Sequence, residues 1–161
     1  LRKFIETSLG VVSLLAVASL FLLPYLRGEV YPLDLSYAGT LAPWTSEAHA
    51  TSSSLSRRHV EETAPAYMHL AGIRDAGDGL LWNPMDGLGA PFLAQWHTRA
   101  LSPFSAPVYL LGMQTGLGLS VWLKLAVAAL TAFYVARRFG LRPPIAVSVA
   151  ALYMLSPALL A

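Results

Sequence analysis

Apolar and polar positions divide the chain into long uncharged runs separated by one mixed segment. Between Glu6 and Arg27 lies TSLGVVSLLAVASLFLLPYL, twenty residues without a charge. A helix of about 20 apolar residues spans a ~30 Å hydrocarbon core, so a first transmembrane helix is predicted over 8–26, with Pro24 near its far end. The run exceeds the ~7–15 apolar residues of a secretory signal, and no A-x-A-like cleavage site follows Leu26. The next apolar stretch, Phe104 to Ala136, has 33 residues, too many for one span and too few for two. It is therefore split at Gln114-Thr115-Gly116-Leu117-Gly118. A short helix over 105–113 is expected at the membrane interface, and a second span over 118–136. A third run, 145–161, is the last predicted span.

The segment 27–117 between the first two spans changes character along its length. Residues 29–44 carry Pro32, Pro43 and several aromatics, which favour a membrane interface. Residues 45–58, TSEAHATSSSLSRR, are small and polar with no apolar period and read as a loop. From His59 to Ala76 the period becomes helical: Val60, Ala64, Tyr67, Met68 and Ala71 recur at three and four residues. Ser56 suits an N-cap region, Glu61 and Glu62 suit a first turn, and Pro65 is tolerated only near a helix start. A helix with so little charge is expected to rest on the bilayer surface. Residues 79–104, GLLWNPMDGLGAPFLAQWHTRALSPF, concentrate prolines, glycines and four large aromatics, including Trp82 beside Asn83. Asn-Pro and the two central glycines dictate fixed turns, so a shaped loop packed on the helices is predicted.

Composition sharpens the class. Hydrophobic residues make up 55%, charged residues 12%, and cysteine is absent, against about 25% charged in a soluble domain. Disorder, a nucleic-acid-binding basic domain and a disulfide-stapled module are excluded. The net charge of +2 is partitioned: residues 27–117 hold five basic and eight acidic groups, the remainder six basic and one acidic. The loop Arg137-Arg138-Phe139-Gly140-Leu141-Arg142 and the pair Arg2-Lys3 are basic clusters of the kind kept on the cytoplasmic side. Both agree only if the first span leads out and the second returns, which puts 27–117 outside. The fold class expected is thus an all-α, multi-spanning membrane protein with a large external loop containing an amphipathic helix. Leu1 in place of Met, and Ala161 within an apolar run, suggest part of a longer protein. Ala128, Ala132 and Ala136, and likewise Ala146 and Ala150, fall on single helix faces where backbones can approach closely. Lys124 lies inside the second span, where an ammonium costs on the order of 3 kcal/mol. It either faces a polar cavity and binds an anionic phosphate or snorkels to the outer interface.

Trp82-Asn83-Pro84, then Gly87-Leu88-Gly89-Ala90-Pro91-Phe92-Leu93-Ala94, then Ser102-Pro103-Phe104, resemble the outer loop of the YfhO-like bacterial integral membrane proteins. Tyr134, Arg137 and Gly140-Leu141 match the same family's pattern after the second span, and Asp34 with Pro43-Trp44 fits more weakly. The family is similar to the GT-C class of membrane glycosyltransferases. The resemblance implies transfer of a sugar from a polyprenyl-phosphate carrier to a cell-envelope acceptor, at the outer face of the bacterial inner membrane. Its partners would be the bilayer and the lipid-linked donor. It also implies an acidic residue of the first external loop near the acceptor hydroxyl. The family's Ser-Asp-to-Gln pattern, aligned on Pro65, puts Glu62 at the Gln position and Arg58 at the Asp position. Either the acid role has moved to Glu61, Glu62 or Asp34, or the protein does not transfer sugars.

A carboxylate within reach of a hydroxyl helps remove its proton, and a phosphate leaving group needs cationic stabilisation. Asp34 and Glu62 are accordingly the candidate catalytic acids. Arg58 and Lys124 are the candidate phosphate contacts, with Asn83 and Trp82 beside them as substrate-binding residues. Glu61 and Glu62 can equally be solvated first-turn residues, and the 79–104 loop a structural plug. A transporter or flippase of a lipid-linked or anionic solute is the rival reading. It would use Lys124 and need no external base. No histidine spacing suits a metal, and no cofactor or nucleic-acid partner is assigned.

Overall fold

In the computed structural model, which describes residues 2–27, 57–76, 79–84, 86–95 and 98–156, the apolar runs are helical and the described residues contain no strand. The helices are α1 (Arg2–Phe21), α2 (Leu23–Leu26), α3 (Ala64–Ala76), α4 (Ala106–Arg138) and α5 (Pro143–Met154). A π-helical turn, His59–Thr63, leads into α3, and a 3₁₀ turn, Pro103–Ser105, leads into α4. Asp34 and everything else expected of 28–56 lie outside the described residues.

Helix α4 is two helices joined at Gly112, whose φ of 78° and ψ of 179° are not helical. That region of the backbone map is essentially open to glycine alone. The chain reverses there, so the short arm, 106–111, lies back along the long arm, 113–138. A Cβ on Gly116 would meet the Pro107 carbonyl oxygen and the Val108 Cα, each at 2.5 Å. In a straight helix those residues would be roughly 12–14 Å apart along the axis. The Ser120 hydroxyl donates to the Phe104 carbonyl across the base of this hairpin. A break was expected at 114–118; it falls at Gly112 instead. Gly116 and Gly118 have a different job: they admit other backbones.

The long arm packs antiparallel to α1. Near the start of α1, a Cβ on Gly10 would stand 3.2 Å from the Phe133 ring and 3.0 Å from Val147 of α5. At the other end, a Cβ on Gly118 would collide with the Tyr25 carbonyl of α2. Between these points the Trp122 indole N–H donates to the Ser19 hydroxyl at 3.1 Å. Leu14, Ala18 and Leu22 of α1 meet Leu125, Ala129, Phe133 and Ala136 of α4 and Ala146, Ala150 and Met154 of α5 in one buried cluster. Ala146 and Ala150 form the close-packed face expected of them. On α4 the buried stripe runs through 125, 129, 133 and 136, leaving Ala128 at its margin.

The turn from α4 to α5 explains its own sequence. Gly140 takes the left-handed conformation, φ 81°, and the Leu141 N–H reaches back to the Ala136 carbonyl at 3.2 Å. This is a glycine-dependent helix stop. Arg142 is then extended, and Pro143 opens α5 with a φ already suited to a first helical residue. Arg137 and Arg138 fall in the last turn of α4, where cations favour the helix dipole. The start of α1 lies at this same end of the bundle.

One helical stretch, Pro103–Arg138, is long and apolar enough to cross a bilayer. Without the folded-back short arm, the long arm still extends about 39 Å at 1.5 Å per residue. The stretches Glu6–Phe21 and Pro143–Met154 are apolar but shorter. The outer surface of the bundle is itself apolar: Leu9, Val12, Leu20 and Leu152 stand exposed. Helices that are hydrophobic on both faces are those of a membrane or of a large core.

Helix α3 does not keep its apolar face for a lipid surface. Ala66, Tyr67, Leu70 and Ile73 bury it against Val108 and Leu117 of the α4 hairpin and against Phe92 of the loop. Met68, expected on that face, is exposed. The face is turned towards 66, 67, 70 and 73 because α3 is held between the hairpin and the loop. The π turn before it accommodates Pro65, whose ring disfavours an ordinary helical register with the preceding turn.

Substitutions at the glycines separate these roles. Gly112→Ala is expected to cost about 1–3 kcal/mol, from its positive φ. Gly118→Ala, which overpacks the α2–α4 contact, is expected to cost about 1–3 kcal/mol. Gly72→Ala meets open space within α3 and should stabilise by about 0.5–1 kcal/mol. Thermal unfolding of the purified variants in detergent measures all three.

Candidate functional site

The loop after α3 is built on a tight reversal. Asn83 and Ala90 form an isolated antiparallel bridge, with N–H···O distances of 2.8 and 3.0 Å, and the Phe92 N–H donates to the Leu81 carbonyl at 2.9 Å. Gly87 and Gly89 both have positive φ, 61° and 98°. Trp82 lies against Gly89 so closely that a Cβ there would stand 2.6 Å from the indole nitrogen. The tryptophan thus shapes the turn and does not line the cleft described next. Further along, the Gln95 amide donates to Asp86 at 3.2 Å, and the Thr98 hydroxyl bonds the carbonyls of Gln95 and Phe92 at 2.7 and 3.2 Å.

Between this loop and α3 lies a cleft of about 600 Å³. From the helix side come Glu61, Glu62, Pro65, Ala66, His69 and Gly72; from the loop come Asn83, Pro84, Asp86, Phe92, Gln95 and Thr98. Glu62, Pro65, Ala66, His69 and Gly72 follow helical spacing, so one face of the helix supplies them. Phe92 is fully buried at the floor and meets the His69 ring edge-on, with centroids 4.6 Å apart. His69 Nε2 is shielded from solvent and has no hydrogen-bond partner among the described residues. A buried polar atom in that condition costs about 1–3 kcal/mol.

Two of the residues singled out from sequence, Glu62 and Asn83, therefore meet in one cleft. Asn83 is buried there, at 7% exposure. Glu62 is half exposed and accepts from Arg58 Nε at 3.1 Å; Glu61 accepts from Arg57 in the same way at 3.0 Å. Such exposed i,i+4 pairs contribute only about 0.3–0.5 kcal/mol each, but they fix the direction of both carboxylates. Arg58 is engaged by Glu62 and does not line the cleft. Lys124 stands apart from the cleft, half-buried on the long arm of α4. Asp34 lies outside the described residues.

The arrangement can bind a molecule that offers several hydroxyls. Carboxylate, amide and hydroxyl groups line a cleft with an aromatic floor, and an imidazole nitrogen is left to pair. His69, Asp86, Gln95 and Thr98 were not picked out as site residues from the sequence. The signal for His69 is its place seven residues after Glu62, two helical turns on the same face. No signal marks the loop residues, because the reversal at 83–90 is what brings them back over α3. No protein-family model matches the chain, and no curated protein or solved structure matches it either.

Gly89→Ala tests whether the loop reversal holds the cleft. The added methyl must displace the Trp82 ring and strain a positive φ. The expected result is a shifted tryptophan emission and increased protease sensitivity of the loop, whereas Gly72→Ala leaves both unchanged.

Proposed function

We propose that the chain belongs to a multi-spanning protein of the bacterial inner membrane, similar to the YfhO-like family, in which α1, the long arm of α4 and α5 cross the bilayer. In this reading the α3–loop layer covers the outer end of the bundle. The protein transfers a sugar from a polyprenyl-phosphate carrier to a cell-envelope acceptor in the cleft. The observation that carries the reading is the meeting in one polar cleft of Glu62, Asn83 and a His69 nitrogen that has no partner among the described residues. That cleft lies on the layer packed against the end of the bundle opposite the arginine-rich turn.

The chemistry assigns a role to each group. Glu62, held by Arg58, takes the proton of the acceptor hydroxyl as that oxygen attacks the sugar carbon bearing the phosphate. The carbon–oxygen bond to phosphate breaks, and its electron pair leaves on the phosphate oxygen. Asn83 and His69 orient the acceptor by hydrogen bonds to hydroxyls that do not react. A positioned base of this kind contributes about 10²–10⁴-fold in rate. The transporter or flippase reading draws on a different observation, Lys124 within the bundle and away from the cleft.

Glu62→Gln in the full-length protein is expected to lower sugar transfer by about 10²–10⁴-fold with membrane insertion intact, and Gly72→Leu to lower it by filling the cleft. Full activity in both Glu62→Gln and Asp34→Asn overturns the base, and solute transport that persists in both supports the rival. Topology has its own measurement, since the chain has no native cysteine. In intact cells an impermeant thiol reagent should label Leu88→Cys, at the exposed loop tip, and should label Phe139→Cys only after permeabilisation. The reverse pattern inverts the layout.

A further inference from the structure

A second cleft, of about 680 Å³, lies between α1 and α5 at the arginine-rich end of the bundle. Glu6, Leu9 and Ser13 line it from one face of α1, and Arg142 and Val147 line it from the start of α5. The two helices meet closely at its floor, where a Cβ on Gly10 would stand 3.0 Å from the Val147 side chain. Both charged residues of the cleft lie just outside the apolar runs 8–26 and 145–161, so its polar mouth is level with the ends of those runs. Glu6 is the single acid of the sequence outside 27–117. Arg142 is placed by a braced turn. Arg137 Nη1 donates to the Leu141 carbonyl at 2.6 Å, and the Leu141 N–H donates to the Ala136 carbonyl at 3.2 Å.

Beneath the charges the wall is apolar. Leu9 is largely exposed, and the Ser13 hydroxyl turns back to donate to the Gly10 carbonyl at 2.8 Å. Pro143 and Pro144 also line the cleft, so two of the four N–H groups that a helix start leaves unpaired are missing here. An anion in the cleft is therefore held by the Arg142 side chain more than by the backbone. Glu6 takes part in an interaction of its own, but a carboxylate has about four lone-pair sites and can accept from an ammonium as well. A carboxylate and a guanidinium at the mouth, with an apolar wall below, are complementary to a zwitterionic lipid. We propose that this cleft binds phosphatidylethanolamine: the ammonium donates to Glu6, the phosphate accepts from Arg142, and an acyl chain lies along Leu9 and Val147. The cleft falls within the ~300–1,000 Å³ of small-molecule sites. Phosphatidylglycerol would satisfy Arg142 but offers Glu6 no cation, and phosphatidylcholine has the cation but no N–H to donate. The inference rests on the bilayer-crossing part of the reading above and is independent of the sugar-transfer chemistry.

Native mass spectrometry of the full-length protein in a neutral maltoside detergent tests the site. Phosphatidylethanolamine, phosphatidylcholine and phosphatidylglycerol with matched acyl chains are offered at equal concentration. The wild type is expected to retain phosphatidylethanolamine over both others by about tenfold or more. Glu6→Gln should abolish the preference over phosphatidylglycerol. Arg142→Gln, at an exposed position, should weaken retention of phosphatidylethanolamine by about tenfold or more, while Arg142→Lys keeps most of it. Equal retention of the three lipids by the wild type marks them as general boundary lipid and overturns the site. A preference for phosphatidylglycerol overturns the zwitterionic ligand. Unchanged retention in both Glu6→Gln and Arg142→Gln overturns the site. Absence of retention, the result expected where another segment of the full-length protein covers the cleft, overturns it too. Thiol labelling at Leu88→Cys and Phe139→Cys, both outside the cleft, reports the bilayer-crossing layout separately. Expected labelling without a lipid preference therefore removes the lipid site and leaves the layout standing.

Discussion

Reversal of the chain at Gly112 is the constraint on which the rest of the structure depends. A residue with a side chain strongly disfavours that φ and ψ, and without the reversal 106–138 would run as one helix. Folding back brings Phe104 to Ser120 and the Pro107 carbonyl to Gly116. The short arm then offers Val108, and the long arm Leu117, as the platform on which α3 and Phe92 are buried. The same return leaves Gly118 free to receive the Tyr25 carbonyl, which closes α2 onto the bundle. Small residues at close crossings matter most where lipid surrounds the helices, because apolar burial there provides little drive and van der Waals contact must supply it.

The polar layer follows from that platform. Helix α3 presents one face to the hairpin and the next to the loop, and the cleft is the gap between the second face and the 83–98 reversal. The π turn at 59–63 has a local cause in Pro65 and a consequence at the cleft: it lets Glu61 and Glu62 both line the wall. Arginines one turn earlier hold these carboxylates. The His69 ring, whose Nε2 has no partner among the described residues, packs edge-on against Phe92.

Charge is distributed along the bundle in step with this geometry. Arg137, Arg138 and Arg142 gather at the glycine-dependent turn beside the start of α1, while the acidic cleft residues lie on the layer at the other end. Lys124 stands between, half-buried on the long arm of α4.

The sequence by itself determined the helical runs, the basic loop that follows Ala136, the small-residue face of Ala146 and Ala150, and the need to break the stretch after Phe104. Each of these is set by local backbone preference or by the period of apolar residues, and both can be read along the chain. It also marked Asn83, because an Asn-Pro turn is a local feature, and Glu62, through the resemblance aligned on Pro65. Tertiary structure alone decided that the break falls at Gly112 and not within 114–118, since all three nearby glycines suit a break. Only the contacts of Gly116 and Gly118 show which of them were reserved for close approach. It likewise decided that Met68 faces outward, that Trp82 serves the turn, and that Arg58 pairs with Glu62. Those outcomes depend on which surfaces meet across residues far apart in sequence, and no periodicity encodes that meeting.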